Sequence, residues 1–198
     1  MAELLVDFLT SVDGYGAAEG WPGFWGIDVP EYLAWLEGVP DRDHTTLMGA
    51  TTYRLMSGFA HGSAEAGQVE DDAMAELTAS SKVVFSSTLE PPLTWANTRL
   101  VRGDPASEVR AMKEAGTSMR TLGSVTLCRS LLVAGLVDRF RVVVFPFVTG
   151  ATGRDRIDDG WPDVALELAT SRTFDGRLQL LEYVPSVLSG PPGGAAGE

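Results

Sequence analysis

Apolar runs and the residues that break them divide most of the chain into alternating strand-like and helix-like segments. Residues 3–9 (Glu-Leu-Leu-Val-Asp-Phe-Leu) are apolar on both faces, which predicts a central strand. Further strands are predicted at His44–Met48, Ser81–Ser87, Thr98–Val101, Met119–Leu122 and Asp138–Val148. Helical patterns lie between them at Glu31–Glu37, Ala50–Met56, Glu70–Ala79, Asp104–Ala115 and Ser124–Ala134. Pro30 and Pro105 suit first helical turns, Asp104 suits a cap, and Gly116 suits a helix end. Residues 11–28, 57–68 and 150–160 are rich in small, glycine or proline residues and read as loops. Two strand patterns, Ala165–Phe174 and Arg177–Val184, flank Asp175-Gly176, a hairpin turn signal. This order predicts one α/β domain over residues 1–184. Its sheet is mostly parallel, with helices on its faces and an antiparallel C-terminal hairpin. Residues 185–198, rich in Pro and Gly, are expected to be a disordered tail.

Composition narrows the partners. The chain has 198 residues and carries 15 Lys plus Arg against 27 Asp plus Glu, a net charge of −12 that would repel a phosphate backbone. No nucleic-acid partner is expected. No apolar run approaches the ~20 residues that span a bilayer, and the first residues carry no signal-peptide pattern. A cytoplasmic protein without a membrane partner is therefore expected. The single cysteine, Cys128, cannot form an internal disulfide and reads as a buried filler. With only two distant histidines, no metal site is expected.

Ligands of open α/β sheets bind at the carboxyl ends of the parallel strands. Three strands here end in Gly or Ser and lead toward helices. They are Leu47-Met48-Gly49-Ala50-Thr51-Thr52, Val84-Phe85-Ser86-Ser87 and Thr121-Leu122-Gly123-Ser124-Val125-Thr126. A glycine there lets backbone amides approach a phosphate, and a helix N-terminus adds positive potential. Ordinary helix capping accounts for Ser and Thr at each junction as well. Gly14-Tyr15-Gly16-Ala17-Ala18-Glu19-Gly20 imitates a dinucleotide fingerprint, but its spacing is wrong and Trp21-Pro22-Gly23 follows instead of a helix.

The order of Ser11-Val12-Asp13-Gly14, Met48-Gly49-Ala50-Thr51-Thr52-Tyr53, Val83-Val84-Phe85-Ser86-Ser87-Thr88 and Leu122-Gly123-Ser124-Val125-Thr126-Leu127 resembles the dihydrofolate reductase-like superfamily. Gly135-Leu136-Val137-Asp138, Val144-Phe145-Pro146-Phe147-Val148 and Gly160-Trp161-Pro162-Asp163 extend the likeness, which is strongest to stand-alone relatives of the riboflavin-biosynthesis reductase domain. The resemblance implies a three-layer fold and an oxidoreductase that transfers hydride from NADPH to a small pterin- or pyrimidine-like heterocycle, with homodimers common. It places Gly49, Thr51, Thr52, Gly123, Ser124, Val125 and Thr126 at the cofactor phosphates, and Ser86 and Ser87 at the adenosine ribose. Many relatives carry Arg where this chain has Ala50, which leaves NADH open as the cofactor. Arg54, Lys82 and Arg102 are the candidate replacement cations. The third motif has Gly123-Ser124-Val125 where relatives have three glycines, and a valine narrows backbone approach.

A proton donor is needed when C=N or C=O is reduced. Asp13 and Asp28 are the candidates, with Glu31 beside them; turn and cap roles suit both aspartates equally. Trp21, Phe24, Trp25, Tyr32 and Trp35 are dense in the covering segment. Trp25 and Tyr32 are candidate walls of a substrate slot, with loop anchoring, core packing or a subunit interface as the plainer role. Two functions stay open: a reductase, or a catalytically silent nucleotide or small-molecule binder on the same fold. A hydrolase lacks its nucleophile elbow here.

Overall fold

The computed structural model describes residues 2–20, 24–63 and 69–192. Among the described residues ten strands are present: β1 (Leu4–Ser11), β2 (Tyr15–Ala18), β3 (Thr45–Gly49), β4 (Lys82–Phe85), β5 (Thr98–Val101), β6 (Met119–Thr121), β7 (Arg139–Phe145), β8 (Gly153–Arg156), β9 (Val164–Phe174) and β10 (Leu178–Val187). The α-helices are α1 (Pro30–Glu37), α2 (Ala50–Ser63), α3 (Val69–Ala79), α4 (Pro105–Glu114) and α5 (Val125–Val133). Eight strands make one sheet in the order β5-β4-β3-β6-β1-β7-β10-β9. All neighbours from β5 to β7 are parallel, while β10 is antiparallel to β7 and β9. The mostly parallel sheet and antiparallel hairpin are thus as the pattern predicts.

Alternation along each strand divides the core. On one face Leu4, Val6, Phe8, Leu47, Phe140 and Val142 pack against Val109 of α4 and Leu127, Leu131 and Leu132 of α5. The other face is covered in two parts. Val143, Phe145, Leu178 and Leu180 meet Tyr32, Trp35 and Leu36 of α1, while Met48 and Val84 meet Tyr53 of α2 and Leu77 of α3. Each fully buried apolar side chain among these contributes about 1.5–3 kcal/mol, and the half-buried Trp35, Leu36 and Leu77 contribute less, so three layers form.

The structure corrects several boundaries. The expected loops 11–28 and 150–160 contain β2 and β8, which pair antiparallel through Tyr15↔Arg156 and Ala17↔Arg154. Neither segment has an alternating apolar pattern, because the ribbon is held by backbone pairing. A side chain at Gly153 would lie 2.6 Å from the Tyr15 ring, so the close approach requires glycine. Helix α2 continues through Gly58 to Ser63, past its expected end at Met56. Strand β10 continues through Pro185, where Leu166 of β9 is its partner, to Val187. Proline is tolerated there because β7 pairs with β10 only over residues 179–183, leaving one edge of β10 without a ladder. Residues 185–187 of the expected tail are therefore strand, and residues 193–198 lie outside the described residues. Among the described residues no helix is long and apolar enough to cross a membrane.

One buried ion cluster ties α1 to the sheet. Arg141 of β7 is 1% exposed and donates to both carboxylate oxygens of Asp41 at 3.0 and 2.8 Å, and to Asp7 of β1 at 2.5 Å. Asp41 lies in the turn between α1 and β3, so the cluster anchors the return of the chain into the sheet. Burial opposes the Asp41 charge, but the Arg141 guanidinium prevails and holds the carboxyl below its usual range. We predict that Asp41→Ala lowers unfolding stability by about 3 kcal/mol, because the buried Arg141 loses its bidentate carboxylate and keeps Asp7. A carboxylate with a lowered folded pKa stabilises above its unfolded pKa and loses that contribution as pH falls. The gap between wild type and Asp41→Asn in urea midpoints should therefore shrink from pH 7 toward pH 3. An unchanged gap would contradict this role.

Candidate functional site

Parallel register brings the carboxyl ends of the strands to one rim. Gly49 pairs with Phe85, Leu47 pairs with Thr121, and Ser11 pairs with Phe145. The expected phosphate, adenosine and covering segments therefore leave the sheet along one edge.

At the centre, the β3–α2 and β6–α5 junctions are locked together. Gly123 (φ 57°) and Ser124 (φ 69°) are both left-handed, which turns the chain sharply into α5. The strain at Ser124 buys a contact: its hydroxyl accepts from Gly49 N–H at 2.7 Å and bonds the Thr52 hydroxyl at 2.8 Å. It does not cap α5, whose N-terminus has no side-chain cap. The first N–H groups of α5 thus remain at the rim with the positive end of the helix dipole. Elsewhere on the rim, the N-terminus of α4 is conventionally capped by Asp104, which accepts from Ser107 N–H at 3.0 Å. Gly49, Thr52, Gly123 and Ser124 are brought together here, while Thr51 and Thr126 are exposed beside them. Val125 packs against the core cluster, so its side chain turns inward.

Beside this centre, Ser86 closes the turn after β4 by accepting from the N–H groups of Thr88 (3.1 Å) and Leu89 (3.0 Å). Ser87 is exposed. Two guanidinium groups flank the turn. Arg102 donates to the Ser87 carbonyl (3.2 Å), the Leu89 carbonyl (2.7 Å) and the Glu90 carboxylate (3.0 Å). Arg54 of α2 approaches the Thr88 hydroxyl at 3.5 Å. Lys82 is elsewhere: it starts β4, is buried, and donates to the carbonyls of Leu77, Thr78 and Ser80 at the far end of the strand. It is no candidate for this rim.

At the other end of the rim, Asp13 accepts from the Ser11 hydroxyl (2.6 Å), Thr149 N–H (3.2 Å) and Gly150 N–H (2.9 Å). These bonds to the charged form, led by Ser11 and Gly150, hold its pKa down to about 2. Asp13 therefore clamps the loop after β1 to the loop after β7, and in this arrangement it carries no proton to give at neutral pH. Asp28 is exposed, and Val29 occupies the N-cap position of α1. The helix start is satisfied from afar: Asp175, in the β9–β10 turn, accepts from the N–H groups of Glu31 (3.0 Å) and Tyr32 (3.3 Å). Glu31 in turn accepts from Asp175 N–H at 2.6 Å.

Tyr32 is not an open wall. It is 3% exposed, with ring centroids 5.8 Å from Trp35 and 5.6 Å from Phe174, and burial pushes its phenol far above the usual range. Trp25 is half-buried in a left-handed conformation and stacks on Phe147 at 6.4 Å. Trp21 lies outside the described residues. Buried Cys128 sits beneath the α5 junction with its thiol on the Gly123 carbonyl, and burial pushes that thiol up to about 12. Among the described residues, no group of His, Cys, Asp and Glu could hold a metal. The long-range bonds of Ser124 and Asp175 were not visible in the sequence. The Asp7–Arg141 pair did leave a signal, since Asp7 is the one charge in β1 and Arg141 directly precedes the apolar run Val142–Phe145 of β7.

Comparison with known proteins agrees with this architecture. The family model of the RibD C-terminal domain matches residues 2–180. A putative riboflavin biosynthesis protein from Shewanella sp. PV-4 superposes with a TM-score of 0.66 at 20% identity, covering 94% of this chain and 99% of that one. A diaminohydroxyphosphoribosylaminopyrimidine deaminase/5-amino-6-(5-phosphoribosylamino)uracil reductase from Thermotoga maritima gives 0.62 at 16% identity. The match covers 93% of this chain but only 57% of that longer one. Dihydrofolate reductase from Enterococcus faecalis, in complex with NADP(H), gives 0.57 at 12% identity, covering 93% of this chain and 96% of that one. No curated protein sequence matches. The fold is dihydrofolate reductase-like, and the chain belongs to the RibD C-terminal domain family.

Proposed function

We propose that the chain is an NADPH-dependent oxidoreductase acting on a small pyrimidine- or pterin-like heterocycle. The observation that carries this reading is the uncapped N-terminus of α5, on the same rim as a turn flanked by Arg54 and Arg102. An uncapped helix start with two left-handed residues before it suits a pyrophosphate. The N–H groups of Val125 and Thr126 would hold it, with Gly49, Thr51 and Thr52 alongside. The adenosine would lie toward Ser86 and Ser87. Arg102 and Arg54 would pair with the 2′-phosphate that distinguishes NADPH from NADH, replacing an arginine at position 50. The inward turn of Val125 removes the obstacle that its side chain would pose. NADPH, when bound, supplies the hydride. The protein's own part is to orient the two reactants and exclude water. Such a reductase belongs in the cytoplasm, where its single buried cysteine needs no oxidising compartment.

Asp13 is a positioning residue in this reading, because its carboxylate is ionised and fully engaged at the end of β1. Asp28 is the acid of the pair whose side chain stays exposed. A second reading, binding without turnover, is favoured by the same ionised Asp13. The two readings separate on oxidation of bound NADPH across a panel of pyrimidines and pterins.

Titration with nicotinamide fluorescence as the readout tests the cofactor site. Wild type should bind NADPH more tightly than NADH. Arg102→Ala should weaken NADPH by about tenfold, the loss of a charge-assisted hydrogen bond, and leave NADH unchanged. Equal loss for both cofactors would contradict the placement of the 2′-phosphate. For Asp13, the expected pH–rate profile between pH 5 and 9 shows no inflection that Asp13→Asn removes, since a group at about 2 is ionised throughout. An inflection lost in that variant would make Asp13 the acid after all.

A further inference from the structure

The helical cover on one face of the sheet is in two parts, α1 over β7 and β10, and α2 with α3 over β3 and β4. The seam between those parts runs over β1 and β6, where Asp7, Leu9, Arg120 and Leu122 are only half-buried. Alternation puts Arg120 on this face, because its neighbour Met119 packs with α4 and α5 on the other.

The five inner parallel strands carry Lys82, Arg120, Arg139 and Arg141 on this face, and three of these cations have partners in the fold. Arg139 donates to Glu3 and Glu182, Arg141 donates to Asp7 and Asp41, and Lys82 donates to backbone carbonyls. Arg120 is the exception. Among the described residues its guanidinium has no hydrogen bond and no ion pair. Its strand is central, with β3 on one side and β1 on the other. A cation that loses hydration at such a place is ordinarily compensated by the fold. Beside it Thr46 of β3, in register with Arg120, is 1% exposed, and its hydroxyl is buried without a partner. Two adjacent donors on one face thus lack an acceptor.

We propose that Arg120 binds a carboxylate carried by the substrate, with the Thr46 hydroxyl donating alongside. This rests on the reading of the chain as a reductase of a small heterocycle, and it narrows that substrate to one bearing a carboxylate. Local charge selects the class of anion. The charge of Arg120 opposes the rise in pKa at Tyr32 and adds to the fall at Asp41, so the site and the buried ion cluster share one field. Arg120 and Arg141 there balance Asp7 and Asp41. A monoanion leaves that group with a single excess negative charge, whereas a phosphate dianion leaves two. A planar carboxylate also matches the guanidinium fork with two parallel bonds. Arg120 lies three residues before Gly123, about 10 Å down the strand from the rim. A heterocycle fits between the two, against Leu9 and Leu122, with its reducible bond toward the rim.

Equilibrium binding without cofactor tests this, read by fluorescence polarisation for pterins and by calorimetry for pyrimidines. Wild type should bind the acid at least about tenfold more tightly than the amide in one of two pairs. The pairs are pterin-6-carboxylate with its carboxamide, and uracil-6-carboxylate with its carboxamide. Arg120→Gln should lose that advantage, and Arg120→Lys should keep part of it. Because no group of the protein relies on this guanidinium, Arg120→Gln should unfold at a urea concentration no lower than wild type. A lower midpoint would make Arg120 structural and overturn the proposal. So would equal binding of acid and amide in both pairs, or an acid advantage that survives Arg120→Gln. Displacement of the bound acid by inorganic phosphate more readily than by acetate would overturn it as well. A chain that binds NADPH but neither acid keeps the reductase reading and loses only this one.

Discussion

Everything functional in this molecule follows from the parallel pairing of five neighbouring strands. Because β4, β3, β6, β1 and β7 run the same way, their carboxyl ends share one edge, and the loops that follow them converge without any loop having to reach. Parallel strands need both faces buried, and the sequence meets that need with apolar runs on each. Two of the buried charges within the sheet are placed opposite one another, while Lys82 of β4 is met by backbone carbonyls. Asp7 and Arg141 sit at paired positions in β1 and β7, and Asp41 closes the cluster from above. The sheet therefore tolerates a buried guanidinium only because two carboxylates meet it.

The rim itself shows two uses of the same chemistry. Where a helix start is purely structural, a carboxylate caps it: Asp104 for α4, and distant Asp175 for α1. At α5 the residue in the cap position turns away. Ser124 spends its hydroxyl on Gly49 and Thr52, which fixes two junctions relative to each other and leaves the helix dipole unanswered. Polar groups arranged this way favour an anion over water at that point.

Much of the architecture was legible in residue pattern. Pro30, Asp104, Pro105, Gly116 and the Asp175-Gly176 turn marked boundaries because local backbone preference and tertiary fold agree there. The β2–β8 ribbon was not legible, since its pairing is between distant polar and small residues with no apolar period. The site was readable as segments but not as contacts. Gly49, Ser86 and Gly123 could be placed on one edge by topology, whereas the Ser124 bridge spans 75 residues and leaves no local signal. Tyr32 failed as a slot wall because an aromatic at helical spacing is as well suited to a core, and tertiary packing decided. Asp13 is held at the end of β1 by Ser11, Thr149 and Gly150, and the last two lie too far along the chain for the sequence to show the clamp.

The central claim is that backbone N–H groups at the start of α5 receive the cofactor's pyrophosphate. Amide chemical shifts in an NADPH titration of isotope-labelled protein test it most directly. The account predicts saturable shifts concentrated at residues 123–127, with a second group at residues 86–89 moving at the same concentration. Saturable binding that leaves residues 123–127 unmoved, or that shifts amides at the amino ends of β3 and β4 instead, would contradict it.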